Sequence, residues 1–248
     1  MNGEQGWDRA RWLWWLALAG GISFFVAVFQ RLDGPAIWAW KATGVGFLAL
    51  WAAANARERS GWLIAAALGF GALGDWLLDA KGLETGAIAF VAGHIIAIIL
   101  YLTNRRAAMT ASQRLLGWLA MPATLVIVWG MLSPAPGWWH AAVYSLFVAA
   151  MAAAAWTSRF PRYRTGIGAM LFLASDLFIF AGEGGTLSKD VTMWLVWPLY
   201  FGGQALIAWE AVSTLSKEAR ARSGRRRGLA DKQRVGVGDR AVGHFLGL

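Results

Sequence analysis

The chain has 248 residues, of which 58% are hydrophobic and only 15% are charged, and its formal net charge is +9. Soluble domains carry about 25% charged residues, whereas long apolar runs recur along this chain, so the composition excludes an ordinary soluble fold. The absence of cysteine excludes disulfides, thiolate metal sites and cysteine nucleophiles.

Eight apolar segments of membrane-spanning length follow one another along the chain. They run over residues 12–29, 35–54, 61–79, 85–103, 114–132, 138–156, 165–182 and 191–213. Most connections are short, so we predict an all-α, polytopic bundle of eight transmembrane helices within residues 1–215. The first segment follows basic residues as a signal peptide would. It is nevertheless long and rich in tryptophan, and no small-residue cleavage pattern follows it, so we expect it to be retained.

Lysine and arginine are distributed unevenly between the two ends of this bundle. If the N-terminus is cytoplasmic, the loops on the opposite side hold only Arg31, Lys81 and Lys189. The cytoplasmic segments then hold Arg9, Arg11, Arg57, Arg59, Arg105, Arg106, Arg114, Arg159, Arg162, Arg164 and the basic C-terminal stretch. This bias predicts that both termini are in the cytoplasm. We expect an integral protein of the bacterial inner membrane.

Residues 216–248 are basic and contain SGRRRG. This composition predicts a disordered cytoplasmic tail that contacts anionic lipid headgroups. Because the positive charge lies in this tail and in short loops, it indicates membrane orientation, and we expect no nucleic-acid partner.

The third segment contains GFGALGDWLLDA, residues 69–80, which begins with the Gly-x-Gly-x-x-Gly spacing of a dinucleotide-binding loop. That loop needs a preceding strand and an acidic residue about 20 positions later. Here the glycines lie inside a continuous apolar span, and the corresponding position falls near His94 without an acid. We therefore reject a nucleotide site and interpret the three glycines as positions of close helix packing in lipid.

Several polar side chains lie inside the predicted spans, where a charged group costs at least about 2.5 kcal/mol and is a functional candidate. Asp75 lies about one turn inside the third span, and Asp176 lies at a similar depth in the seventh. The other candidates are Lys41, Asp79, His94, Tyr200 and Gln204. Asp79 also has the simpler interpretation of an acid that reaches the interface, and His94 that of an interhelical hydrogen-bonding residue. Together these groups predict one shared polar cavity.

Two of the spans are similar to each other. ALGDWLLDA in the third span aligns with LASDLFIFA in the seventh, and His94 in the fourth corresponds loosely to Gln204 in the eighth. Because the paired segments lie four spans apart in the same orientation, they suggest a 4+4 internal repeat about an axis along the membrane normal. Such a repeat would place Asp75 opposite Asp176.

Four motifs, GFGALGDWLLDA, GAIAFVAGHIIAIILY, GAMLFLASDLFIF and YFGGQALIA, occur in an order that resembles the YhhN family, over about residues 35 to 210. The family includes the animal lysoplasmalogenases. Its pattern corresponds here to Gly74-Asp75, Gly93-His94, Ser175-Asp176 and Tyr200…Gln204. Lys41 resembles the lysine of an early Lys-Pro pair, although Ala42 replaces the proline.

The resemblance implies an eight-span hydrolase that cleaves the vinyl ether of lysoplasmalogens to a fatty aldehyde and a glycerophospho-base. This chemistry needs a proton donor and a negative group that stabilises a cation, which two carboxyls supply. We therefore predict Asp75 and Asp176 as the acid/base pair and His94 as the residue that orients a carboxylate or the water. We expect Lys41, Asp79, Tyr200 and Gln204 to bind the lysolipid, with Lys41 either binding its phosphate or tuning an aspartate.

Metal and cofactor chemistry is not expected from this sequence. There is no Gly-x-Ser-x-Gly elbow and no His-Glu-x-x-His motif, and the histidines are too few for a hydrolytic zinc site unless carboxylates complete it. Two other functions remain open. A proton-coupled transporter also needs intramembrane acids. A lipid-binding protein without chemistry would use the acids only to pair with Lys41 and His94.

Overall fold

The computed structural model describes residues 10–245, and the side chains of residues 10–225. Residues 1–9 and 246–248, which include Arg9 and the end of the predicted tail, lie outside the described residues. The helices are α1 (Arg11–Gln30), α2 (Pro35–Asn55), α3 (Arg59–Lys81), α4 (Leu83–Thr103), α5 (Ala111–Leu132), α6 (Trp138–Thr157), α7 (Ile167–Glu183) and α8 (Lys189–Phe245). A five-residue π-helix, Arg162–Gly166, directly precedes α7. All eight are long and apolar enough to span a membrane, which confirms the predicted fold class.

The helix boundaries follow local sequence signals. Pro35 is the first residue of α2, where its missing N–H would have no helical partner. Gly82 alone separates α3 from α4, and its φ of +93° is a conformation that residues with a side chain rarely adopt. Thr110 caps α5 through a reciprocal capping box with Gln113. These short connections hold successive helices antiparallel. The connections α1–α2, α3–α4, α5–α6 and α7–α8, which we call the odd-numbered connections, therefore lie together at one end of the bundle.

The helices form a ring in which α1 to α4 pack in sequence, α4 contacts α6, and α6, α7 and α8 pack in turn. The ring closes because α8 also contacts α2, α3 and α1, whereas α5 lies outside it against α6 and α7. Away from the odd-numbered connections, Trp14, Trp51 and Trp209 pack together, with ring centroids 4.8–5.9 Å apart. Trp51 is fully buried. This aromatic cluster fills the interior at the end of the bundle that carries most of the arginines.

Close helix packing explains two of the three glycines in the third span. A Cβ atom on Gly74 would lie 2.9 Å from the ring of Phe90, and one on Gly71 would lie 3.1 Å from Gln204 Nε2. A Cβ atom on Gly69 would meet no atom within 4 Å. Gly71 and Gly74 therefore allow α3 to approach α8 and α4, but the packing interpretation is wrong for Gly69, which faces open space.

The last helix does not end where the eighth span was predicted to end. Residues 216–225 continue α8, so the prediction that this part of the tail is disordered is wrong. Glu218 pairs with Arg159, and Arg222 Nη1 donates to Glu58 Oε2 at 2.9 Å, so side chains from two connections anchor the extension. The division into a transmembrane domain and a basic tail stays a prediction, as do the internal repeat and the orientation of the termini.

Candidate functional site

A cavity of about 1450 Å³ lies inside the ring of helices and is lined by α1, α2, α3, α4, α6, α7 and α8. It opens at the end that carries the odd-numbered connections, and we call this opening the mouth. The mouth is lined by Arg31, Glu84, His140, Glu183 and Lys189. Deeper walls are mainly apolar and aromatic, so the cavity changes from a charged entrance to an apolar interior.

Asp75 lines this cavity from α3 and is only 2% exposed. It lies six residues before the last residue of α3, which places it about 9 Å from the helix end. Its Oδ2 atom accepts a hydrogen bond of 2.8 Å from the hydroxyl of Tyr200 on α8. Tyr200, which the sequence analysis assigned to substrate binding, is thus in direct contact with the Asp75 carboxyl.

Asp176 lines the same cavity from α7, at a similar depth, and is 5% exposed. Its Oδ2 atom accepts a hydrogen bond of 2.8 Å from the hydroxyl of Tyr144 on α6. Ser175 Oγ lies 3.5 Å from the other carboxyl oxygen. The structure therefore brings the two predicted aspartates to one cavity and gives each a tyrosine hydroxyl as partner.

His94 contacts Tyr144 and not a carboxylate. Its Nε2 atom lies 3.3 Å from the Tyr144 hydroxyl oxygen. A tyrosine hydroxyl has one proton, and Tyr144 gives it to Asp176, so we assign the proton between His94 and Tyr144 to His94 Nε2. The resulting chain, His94 to Tyr144 to Asp176, makes His94 a residue that orients Asp176 through an intermediate hydroxyl.

Tyr144 was missed by the sequence analysis. A tyrosine within a span costs little, because its ring is apolar and its hydroxyl needs only one partner, so it carries no signal comparable to a buried acid. The feature of the sequence that could have identified Tyr144 was its position along α6. Tyr144 lies six residues into α6 from the mouth end, close to the depth of both aspartates, and the chain has only four tyrosines.

The prediction of one cavity shared by all the polar residues is wrong for His94 and Gln204. These two line a separate pocket of about 30 Å³. The rings of Phe90, Phe172 and Tyr200 pack against one another, with centroids 5.0–6.1 Å apart, and fill the space between pocket and cavity. Gln204 still contacts the site, because its side chain interacts with the Tyr200 hydroxyl.

Lys41 and Asp79 form an ion pair on the wall between α2 and α3. Lys41 Nζ donates to Asp79 Oδ1 at 2.8 Å, and both side chains are mostly buried. Lys41 also lines the cavity and acts electrostatically on Asp75. Asp79 is thus held by a specific cation, unlike an acid that only reaches the interface. Lys41 pairs directly with Asp79, whereas Tyr200 donates to Asp75 and Tyr144 donates to Asp176. Neither of the two predicted catalytic acids therefore pairs directly with Lys41 or His94.

Charged side chains at the mouth are paired but exposed. Arg31 contacts Asp190 at 2.6 Å, and Lys189 contacts Glu183 at 2.8 Å. Exposed pairs of this kind contribute little to stability, so their charges are free to rearrange around an incoming group. Among the described side chains, no three histidine, aspartate or glutamate residues come together as metal ligands would.

Comparison with curated proteins and with solved structures gave no match to this chain. The model of the YhhN family matches residues 36–211. This range contains both aspartates, both of their tyrosine partners, His94 and the Lys41–Asp79 pair. It also covers more than half of the chain, so the protein belongs to the YhhN family.

Proposed function

We propose that this protein is a membrane-embedded hydrolase that cleaves the vinyl ether bond of lysoplasmalogen-type lysolipids. The observation that carries the proposal is the placement of Asp75 and Asp176, two buried carboxyls that line one large cavity within the membrane-spanning part. Membership of the YhhN family, to which the animal lysoplasmalogenases belong, supports the choice of substrate. The products would be a fatty aldehyde and a glycerophospho-base.

Two carboxyls are sufficient for this reaction. A protonated carboxyl transfers its proton to the β-carbon of the vinyl ether, which turns the α-carbon and its oxygen into an oxocarbenium ion. The ionised carboxyl stabilises that cation and takes a proton from the water that attacks it. The hemiacetal then collapses: its hydroxyl proton returns to the first carboxyl, and the bond between the former vinyl carbon and the glycerol oxygen breaks. The second carboxyl protonates the leaving oxygen, which departs as a hydroxyl. One water is consumed, and no oxidant or reductant is needed.

The neighbouring residues serve to position these carboxyls. Tyr200 and Tyr144 each donate a hydrogen bond to Oδ2 of one aspartate, so Oδ1 of each remains to contact substrate or water, although Oδ1 of Asp176 also lies 3.5 Å from Ser175 Oγ. His94 fixes Tyr144 from behind. Gln204 does the same for Tyr200. Either carboxyl can serve as the donor in this arrangement, because each has one tyrosine partner.

The shape and charge of the cavity suit a lysolipid. Lys41 lies in the wall beside Asp75, where its ammonium can bind a phosphate in place of Asp79. The charged mouth suits a phosphorylated headgroup, and the apolar interior suits a hydrocarbon chain. If both termini are cytoplasmic, as the lysine and arginine distribution predicts, the mouth faces the outer side of a bacterial inner membrane.

A proton-coupled transporter is the alternative function. Buried acids on spanning helices and glycine-mediated helix contacts are also typical of transporters. In the described part of the chain, however, the cavity opens at the mouth, while the tryptophan cluster packs in the interior at the opposite end of the bundle. A transporter would need a second conformation in which that cluster separates.

Aldehyde release by the purified protein in detergent tests the hydrolase directly, because an enzyme needs no membrane gradient and a transporter does. Wild type is expected to release aldehyde from a vinyl-ether lysolipid, and Asp75→Asn or Asp176→Asn should lower the rate by about 10²-fold or more. Glu58→Gln, a carboxyl-to-amide change at the opposite end of the bundle, is the matched control and should be active. Release at the normal rate by both aspartate variants would refute the two-carboxyl mechanism.

A further inference from the structure

The cavity wall between α4 and α6 includes side chains that are exposed although they lie below the helix ends. Ile88 and Val143 both line the cavity, yet Ile88 is 72% exposed and Val143 is 48% exposed. Each lies five residues inside its helix from the mouth end, or about 7 Å below it. We infer from this exposure that a lateral gap opens between α4 and α6 at this depth.

This gap, which we call the slot, has defined walls and a defined foot. Its apolar walls are formed by Ala87, Ile88, Val91, Val143 and Phe147. It ends where α4 and α6 meet, at the contact between His94 Nε2 and Tyr144 Oη. Tyr144 donates to Asp176, so the foot of the slot lies directly beside one of the two carboxyls.

The opposite wall of the cavity is closed. The cavity-lining residues Phe24 and Ala27 of α1 and Trp197 of α8 are all buried. Nearer the mouth, the rings of Phe29 and Trp194 pack across the α1–α8 boundary with centroids 5.7 Å apart. These contacts close the cavity wall where α1 meets α8.

We propose that the slot admits the hydrocarbon chain of a single-chain phospholipid laterally from the bilayer, with its headgroup held at the mouth. The slot lies at the depth of the lipid chains, so its outer opening faces the hydrocarbon core of the bilayer and not water. Its walls are apolar, while the mouth carries Arg31 and Lys189 and the cavity wall carries Lys41. An amphiphile with an anionic phosphate and one hydrocarbon chain matches the basic mouth and the apolar slot. Bound in this way, it passes beside the two carboxyls, which lie where the mouth and the slot join.

This inference rests on the proposed function for its place in catalysis, but not for its test. Lysophosphatidylcholine that carries a diazirine in the middle of its chain is added to the purified protein in nanodiscs and irradiated. The labelled peptides are then mapped by mass spectrometry. Labelling is expected to concentrate on residues 84–91 of α4 and 139–147 of α6 and to fall when unlabelled lysophosphatidylcholine is added. Even labelling around the bundle, including α5, would overturn the proposal, as would a protein–protein cross-link at the slot showing that a second copy covers it.

Substitutions at the rim provide a second readout. Ile88→Trp and Val143→Trp narrow the slot and are expected to lower slot labelling, and the turnover of long-chain substrates, by about tenfold or more. Val126→Trp is the matched control, because Val126 of α5 is 67% exposed and does not line the cavity. Unchanged labelling in both slot variants would overturn the lateral route. Slot labelling without aldehyde release would instead refute the proposed hydrolase and leave the slot intact.

Discussion

Removing the hydroxyl of Tyr144 perturbs the site without touching either carboxyl. Tyr144→Phe deletes the 2.8 Å hydrogen bond to Asp176 and leaves His94 Nε2 without the partner that lies 3.3 Å away. A hydrogen bond to a charged group contributes about 1.5–3 kcal/mol. If that bond is fully formed in the transition state, its loss lowers kcat by about 10- to 150-fold, since each 1.4 kcal/mol is a factor of ten.

The assay is steady-state aldehyde release by purified, monodisperse protein across a range of substrate concentrations and pH. Because Tyr144 acts through Asp176, kcat should fall while KM changes little, and the pH profile should move. In an Asp176→Asn background, Tyr144→Phe should cause little further loss. Neither the altered pH profile nor this lack of additivity would follow from a purely structural role.

Tyr101→Phe is the matched control for this prediction. Tyr101 is also a buried tyrosine, on α4, but its hydroxyl has no hydrogen-bond partner among the described residues. The same chemical change there should leave kcat and the pH profile unchanged. Equal losses in the two variants would refute the positioning role of Tyr144, as would wild-type kcat in Tyr144→Phe.

Three further predictions follow from the same geometry. Tyr200→Phe should lower kcat by a similar factor, because it removes the donor to Asp75, and normal turnover would contradict this role. Gly74→Ala should lower the thermal unfolding temperature in detergent, because the new Cβ would lie 2.9 Å from the Phe90 ring. Gly69→Ala should leave that temperature unchanged, because its Cβ would meet no atom within 4 Å. Equal unfolding temperatures of the two variants would argue against close packing at Gly74. Reporter fusions after Arg57 should report the cytoplasm and fusions within residues 133–137 the other side, and a reversed pattern would invert the orientation.

Much of the fold could be predicted because membrane spans have a strong sequence signal. Length and apolarity alone located all eight helices. The end of α8 was missed because its continuation is polar, and residues 216–225 are held as helix partly by Glu218 and Arg222, whose partners lie in distant connections. Hydropathy cannot register such contacts between charged side chains.

The two aspartates could be predicted for a related reason: an acid inside a span is costly and so is conspicuous in the sequence. The residues that contact the aspartates and the other site residues were harder to predict from the sequence. The pairing of Lys41 with Asp79 depends on how α2 and α3 are rotated against each other. The separation of His94 from the main cavity depends on the packing of Phe90 and Phe172, two residues that resemble any other apolar side chain in a span.

The central claim is that a carboxyl of this cavity protonates the β-carbon of a vinyl ether. The most direct test is to run the purified wild-type protein in D₂O with a vinyl-ether lysolipid and to reduce the aldehyde at once to the alcohol for mass analysis. The account predicts one deuterium at the carbon next to the former aldehyde carbon, and loss of this product in both Asp75→Asn and Asp176→Asn. Product without deuterium at that carbon, or undiminished labelled product from both variants, would contradict it.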